Sequence, residues 1–142
     1  MPSSNYRIQS KSFMKKTILI IEDDIATIDI YKTILEKADF KIEVVRWGEE
    51  ALKKIEKIKS GKSKKPDLVL LDLILPDISG MNVLEEMKKH QKTKNIPAFV
   101  LTNYADPEME KRENKLKGDG YFLKTSYTPR KLVELIKKKM KK

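Results

Sequence analysis

Apolar and polar positions along the chain change their spacing repeatedly, and each change marks an element. Thr17-Ile18-Leu19-Ile20-Ile21 is a short, mostly β-branched run closed by Glu22-Asp23-Asp24. A run with no polar alternation predicts a strand covered on both faces. From Ile25 the apolar residues fall at Ile28, Tyr31, Ile34, Leu35 and Ala38, the spacing of one helix face. Ile42-Glu43-Val44-Val45 predicts a second strand. Gly48 then opens a helix with Ala51, Leu52, Ile55 and Ile58 on one side, followed by a Gly/Ser/Lys loop from Ser60 to Pro66. A third strand, 67–71, ends at Asp72, and a loop with Pro76 and Gly80 leads to a helix carrying Met81, Leu84 and Met87. A fourth strand, Ala98-Phe99-Val100-Leu101, ends at Thr102. Pro107 suits a first helical turn, and a strongly charged helix covers 108–117. Gly118 and Gly120 break the chain before a fifth strand, Tyr121-Phe122-Leu123, which ends at Lys124. Thr128-Pro129 is a cap-plus-proline start for a last helix whose apolar face is Leu132, Val133, Ile136 and Met140.

Five strands alternating with five helices predict an α/β fold, a doubly wound five-stranded parallel sheet with helices on both faces. Residues 1–15 are polar and aperiodic and read as a flexible leader; the folded domain is expected over 16–142.

Composition narrows the chemistry. The chain has no Cys and one His (His90), which excludes disulfides, thiolate zinc sites and most nucleophile–histidine machinery. It has neither a long apolar span nor a signal-type leader, so a cytoplasmic protein with no membrane partner is expected. The net charge is +10, from 31 Lys plus Arg against 21 Asp plus Glu, and a nucleic-acid or anionic-surface binder has to be weighed. The excess is uneven. Residues 53–65 hold seven Lys against Glu56 alone, and other basic runs lie in 1–16, 88–94 and 130–142. The segments 17–52 and 66–87 are net acidic.

Ligands of doubly wound sheets bind beyond the carboxyl ends of the strands. Those ends here carry Glu22 and Asp23, Asp72, Thr102 and Lys124. A single strand-terminal Asp is usually only a turn or cap residue. Five polar groups, each following an apolar strand, are hard to explain as independent caps. Clustered carboxylates repel unless a cation sits among them. An all-oxygen donor set suits Mg²⁺ rather than zinc. A metal beside a carboxylate, a hydroxyl and a Lys makes a phosphoryl site, and the carboxylate is the available nucleophile.

These residues resemble the receiver domain of two-component response regulators. The resemblance spans about residues 16–140. Its pieces are Ile18 to Asp24, Asp67 to Pro76, Asp77-Ile78-Ser79-Gly80-Met81, Leu101-Thr102 and Gly120 to Lys124. It implies the flavodoxin-like strand order 2-1-3-4-5. It makes Asp72 the phosphoacceptor and Asp23 a direct Mg²⁺ ligand, with Glu22 acting through a metal-bound water and the backbone carbonyl of Ile74 completing the protein ligands. Thr102 and Lys124 would each hold a phosphoryl oxygen. Thr102 and Tyr121 would form the switch that re-poses the surface of the fourth helix, fifth strand and fifth helix.

The implied protein is a signalling phosphoacceptor, not an enzyme beyond self-phosphorylation from small donors and autodephosphorylation. It would be charged by a histidine kinase or phosphotransfer protein and read by a downstream protein effector, with a homodimer also open. Because the chain ends after the fifth helix, the single-domain, stand-alone type is the expectation, the alternative being a piece of a longer regulator.

Several positions depart from the family pattern. Thr125 stands where Pro usually follows the strand-five Lys, so a trans or a strained loop is expected. Asn103 replaces a common Ala after Thr102. Ile74 and Tyr104 flank the pocket where polar residues are common, and are expected to shield an acyl phosphate from water. Trp47 is expected to pack, partly exposed, on a helix start, and His90 to be solvated.

Two rival functions remain. The Lys runs at 53–65 and 130–142 could bind nucleic acid or an anionic surface, but they lack interleaved aromatics, and solvated helix faces are the expected reading. A metal-dependent phosphohydrolase would need an acid–base carboxylate, for which Asp24 and Asp77 are the candidates.

Overall fold

Each strand of the computed structural model, which describes residues 15–141, is followed by a helix. The strands are β1 (Thr17–Ile21), β2 (Lys41–Val45), β3 (Leu68–Leu71), β4 (Ala98–Thr102) and β5 (Tyr121–Leu123). The helices are α1 (Ile25–Lys37), α2 (Gly48–Lys59), α3 (Gly80–Lys89), α4 (Pro107–Lys115) and α5 (Pro129–Met140). All strand pairs are parallel, in the order β2-β1-β3-β4-β5. The expected architecture and order are therefore observed. Residues 1–14, most of the expected leader, lie outside the described residues, and no helix among those described is long and apolar enough to cross a membrane.

The unbroken apolar runs are explained by two cores. Alternate residues of a strand face opposite sides of the sheet. Leu19, Ile21, Val69, Leu71 and Val100 pack with α2 and α3 on one face. Ile18, Ile20, Leu68, Leu70 and Leu101 pack with α1 and α5 on the other. Each fully buried side chain of this size contributes roughly 1.5–3 kcal/mol. β1, β3 and β4 are covered on both faces as expected, whereas β2 and β5 lie at the sheet edges and are mostly half-buried.

The helix starts follow their caps. Asp24, Ser79, Asp106 and Thr128 each accept a first-turn backbone N–H of α1, α3, α4 and α5. α2 differs: its cap residue, Trp47, has no side-chain acceptor, and Asp77 supplies one from the β3–α3 loop, 2.8 Å from the amides of both Gly48 and Glu49. α4 ends at Lys115, two residues before the sequence expectation, because Leu116 and Lys117 form its closing turn. All peptide bonds among the described residues are trans, so Thr125 sits in a trans loop. His90 is half-buried rather than solvated, and its Nδ1 accepts the Lys92 amide at 3.1 Å. Trp47 is 46% exposed at the start of α2, as expected.

α4 buries little apolar surface; Met109, and Leu116 just past its end, only partly pack on the core. Its one fully buried residue is Glu113, whose carboxylate accepts the Gly120 amide at 2.9 Å just before β5. A Cβ at Gly118 would lie 2.3 Å from that carboxylate, so the missing side chain makes the space. Burial holds the Glu113 carboxyl above its ordinary range, against the Gly120 hydrogen bond.

Two outcomes follow. A Cβ at Gly80 would meet the Asp72 carbonyl at 2.1 Å. Gly80→Ala should therefore cost at least about 2 kcal/mol, read as a lower urea midpoint. A raised carboxyl pKa means the native state holds more protons than the unfolded chain, so stability falls as pH rises through that window. Glu113→Gln should be more stable than the parent near pH 8, and the gap should close toward about pH 5. Urea titrations of both proteins across this range check it.

Candidate functional site

The pocket is built by register. Ile21 of β1 pairs with Leu71 of β3, so the next residues, Glu22 and Asp72, emerge side by side. The Asp72 amide bonds the Ile21 carbonyl at 2.9 Å and the Glu22 amide bonds the Val45 carbonyl at 3.0 Å, which carries the ladder to the point where the acids begin. Thr102 of β4 pairs with Leu123 of β5, and the Lys124 amide bonds the Thr102 carbonyl at 2.7 Å.

Glu22 and Asp72 are buried and Asp23 is half-buried. One carboxylate oxygen from each of the three lies within 4.8 Å of the others. Lys124 Nζ is 2.7 Å from Glu22 Oε1 and 3.7 Å from Asp72 Oδ2. Two close carboxylates share this one ammonium. Burial and the neighbouring Glu22 charge push the Asp72 carboxyl up to about 7, while Lys124 and the Ile74 amide pull the other way. Asp72 Oδ1 accepts that amide at 3.3 Å. The donor set is all carboxylate oxygen, two of the three buried, with less positive charge than it needs. It fits a small hard divalent cation such as Mg²⁺.

The flanks are also placed. Thr102 is fully buried, and its hydroxyl accepts the Tyr104 amide at 3.4 Å. The half-buried Tyr121 donates its hydroxyl to the Tyr104 carbonyl at 2.9 Å, and burial raises its pKa. The two expected switch residues therefore meet the same residue, one at its amide and the other at its carbonyl. Ile74 and Tyr104 are 57% and 60% exposed, on the loops after β3 and β4.

The sequence reading missed two participants. Arg46 donates to the Asp23 carbonyl at 3.1 Å and so fixes the loop after β1, and the Tyr104 backbone links Thr102 to Tyr121. Nothing near Arg46 in the sequence points to a partner 23 residues away. The two acid–base candidates of the hydrolase reading already have structural work. Asp24 accepts the amide and hydroxyl of Thr27, which lower its pKa. Asp77 is held low chiefly by the Glu49 amide as it caps α2.

Comparison with known proteins agrees with this arrangement. Residues 18–137 match the response regulator receiver domain. The polar-differentiation response regulator DivK of Brucella ovis is 28% identical over 124 residues, covering 87% of this chain and 95% of DivK. The phosphorylated cyanobacterial phytochrome response regulator RcpA superposes with a TM-score of 0.75 at 29% identity, covering 87% of this chain and 89% of RcpA. The Mn²⁺-bound form of response regulator Rcp1 gives a TM-score of 0.71 at 30% identity, covering 77% and 81% of the two chains. Since the match runs from the second residue of β1 into the last turns of α5, the chain belongs to the response regulator receiver domain family.

Proposed function

We propose that the protein accepts a phosphoryl group from a phosphohistidine donor on Asp72 and uses it to switch the α4–β5–α5 surface for a downstream protein. The observation that carries this reading is the Glu22–Asp23–Asp72 cluster with Lys124 bridging two of its acids. In the transfer, a carboxylate oxygen of Asp72 attacks phosphorus in line with the P–N bond. The P–O bond forms as the P–N bond breaks, and the imidazole leaves. Glu22, Asp23, Asp72 and the Ile74 carbonyl would hold Mg²⁺, which when bound supplies charge neutralisation for the phosphoryl oxygens. Lys124 would turn toward one phosphoryl oxygen and Thr102 toward another. RcpA crystallised in a phosphorylated form and Rcp1 with Mn²⁺, which supports both parts of the reading.

The switch follows from the small amount of apolar surface that anchors α4. If the Thr102 hydroxyl bonds a phosphoryl oxygen, the Tyr104 amide loses or shares its acceptor. The loop that also holds the Tyr121 hydroxyl then moves. Phosphate contacts available in only one loop arrangement favour that arrangement. A histidine kinase or phosphotransfer protein is the donor partner, the effector is a protein, and the site of action is the cytoplasm. Ile74 and Tyr104, apolar and exposed at the rim, would slow water attack on the acyl phosphate.

Two measurements test this. Incubation with Mg²⁺ and acetyl phosphate should add one phosphate by intact mass, and Asp72→Asn should abolish it. No adduct from acetyl phosphate or from a cognate kinase overturns the reading, and sustained phosphoester turnover would favour the hydrolase. Ile74→Asn with Tyr104→Glu should shorten the phosphoprotein lifetime by about tenfold, a barrier change of about 1.4 kcal/mol. A parent lifetime of seconds removes the shielding role.

A further inference from the structure

Parallel strands joined by helical crossovers give the sheet a polarity. Every strand end and helix start lies at the carboxyl edge, and every strand start and helix end at the opposite, amino edge. The charges separate along the same axis. The carboxyl edge holds Glu22, Asp23, Asp24, Asp72, Asp77 and Asp106, with further acids in the first turns of α2 and α4. Among the described residues, Arg46, Lys124, Arg130 and Lys131 oppose them there.

The amino edge is the reverse. The helix ends carry Lys37, Lys57, Lys59, Lys88, Lys89 and Lys115. The approaches to the strands carry Lys15 and Lys16, Lys41, then Lys62, Lys64 and Lys65. Lys92 and Lys94 precede β4, Lys117 precedes β5, and α5 ends in Lys137, Lys138 and Lys139. Most of the acids here are already engaged. Asp39 pairs with Lys15, Glu56 with Lys59, Glu86 with Lys89, and Asp119 with Lys139. Among the described residues no ion pair engages Lys37, Lys57, Lys62, Lys64, Lys65 or Lys92. Helix C-termini attract cations, but five of them supply only roughly half a charge each. That is far less than this array.

We propose that the amino edge docks on a planar anionic lipid surface, with the Asp72 edge facing away from it. The shape favours a plane over a rod. Five strands span about 20 Å, and a helix layer adds about 10 Å on each side. The lysines lie on both layers, Lys37 and the end of α5 on one and Lys57, Lys59, Lys88 and Lys115 on the other. A duplex would reach a stripe of this area, whereas a membrane reaches all of it. The side-chain types agree. Apart from Arg112 in the last turn of α4, which is paired with Glu85, the described basic residues of this edge are Lys, point charges without the planar fork that reads bases. The exposed large apolar residues, Ile25, Ile30, Trp47, Ile74 and Tyr104, lie away from it, so there is no stacking platform and adhesion is electrostatic. The proposal departs from the solvated faces and absent membrane partner expected from the sequence because the fold gathers these runs at one edge. This surface is independent of the phosphoacceptor chemistry, since it needs only the sheet polarity and the charges.

The test is co-sedimentation of the full chain with vesicles of phosphatidylcholine alone or with about 30% phosphatidylserine, in about 50 mM salt. Binding to the anionic vesicles should exceed binding to the neutral ones by about tenfold and vanish near 0.5 M salt, where the Debye length is about threefold shorter. Lys62→Glu with Lys64→Glu and Lys65→Glu should lower it about fivefold, with the unfolding midpoint as the check on folding. Lys92→Glu with Lys94→Glu replaces that variant if it unfolds. Arg130→Glu with Lys131→Glu, at the carboxyl edge, should change binding less than about twofold. Equal binding to both vesicles, no binding to either, equal losses from the two edges, or tighter retention by duplex DNA at the same salt would overturn the proposal.

Discussion

The carboxyl edge of this sheet depends on one ammonium. Glu22 and Asp72 emerge from adjacent strands because Ile21 and Leu71 are in register, and both are buried. Two buried carboxylates at such range destabilise each other unless a cation stands between them. Lys124 is the one the chain supplies, at 2.7 Å and 3.7 Å. It is also the residue that directly follows the edge strand β5. The electrostatic need at the centre of the sheet therefore reaches across β4 and helps to hold β5 in place. Asp72 is still raised to about 7, so the site remains short of positive charge and receptive to a metal.

Much of this was legible in the sequence because the relevant signals are local. A strand buried on both faces must be apolar throughout, and a polar residue directly after it must lie at the sheet edge. Glu22, Asp72, Thr102 and Lys124 could be placed by that rule alone. The five helices and the parallel sheet followed from alternation, and the strand order from the resemblance to receiver domains. What could not be read were contacts between loops distant in the chain. The α2 cap comes from Asp77, 29 residues after Gly48, and Trp47 at the usual position gives no hint of it. His90 looked solvated because its surroundings are rich in Lys, yet the turn after α3 half-buries it.

Charge shows the same division between local and global information. Each basic run can be counted along the chain, but no run reveals which edge of the sheet it joins. The Lys of 57–65 look like a solvated helix end and loop until the polarity of the sheet puts them at the same edge as the ends of α3 and α5. Glu113 is a further case. A Glu within a charged helix is unremarkable until Gly118 and Gly120 are seen to make its burial possible.

The bridge between Lys124 and Glu22 joins residues 102 positions apart. During synthesis the acids of β1 and β3 emerge long before their cation does. A nascent chain that has made those two strands holds a repelling, unfinished pocket. Only when β5 has added to the far side of β4 does the site acquire its charge balance. The charge balance of the site therefore arrives only with the completion of the fold.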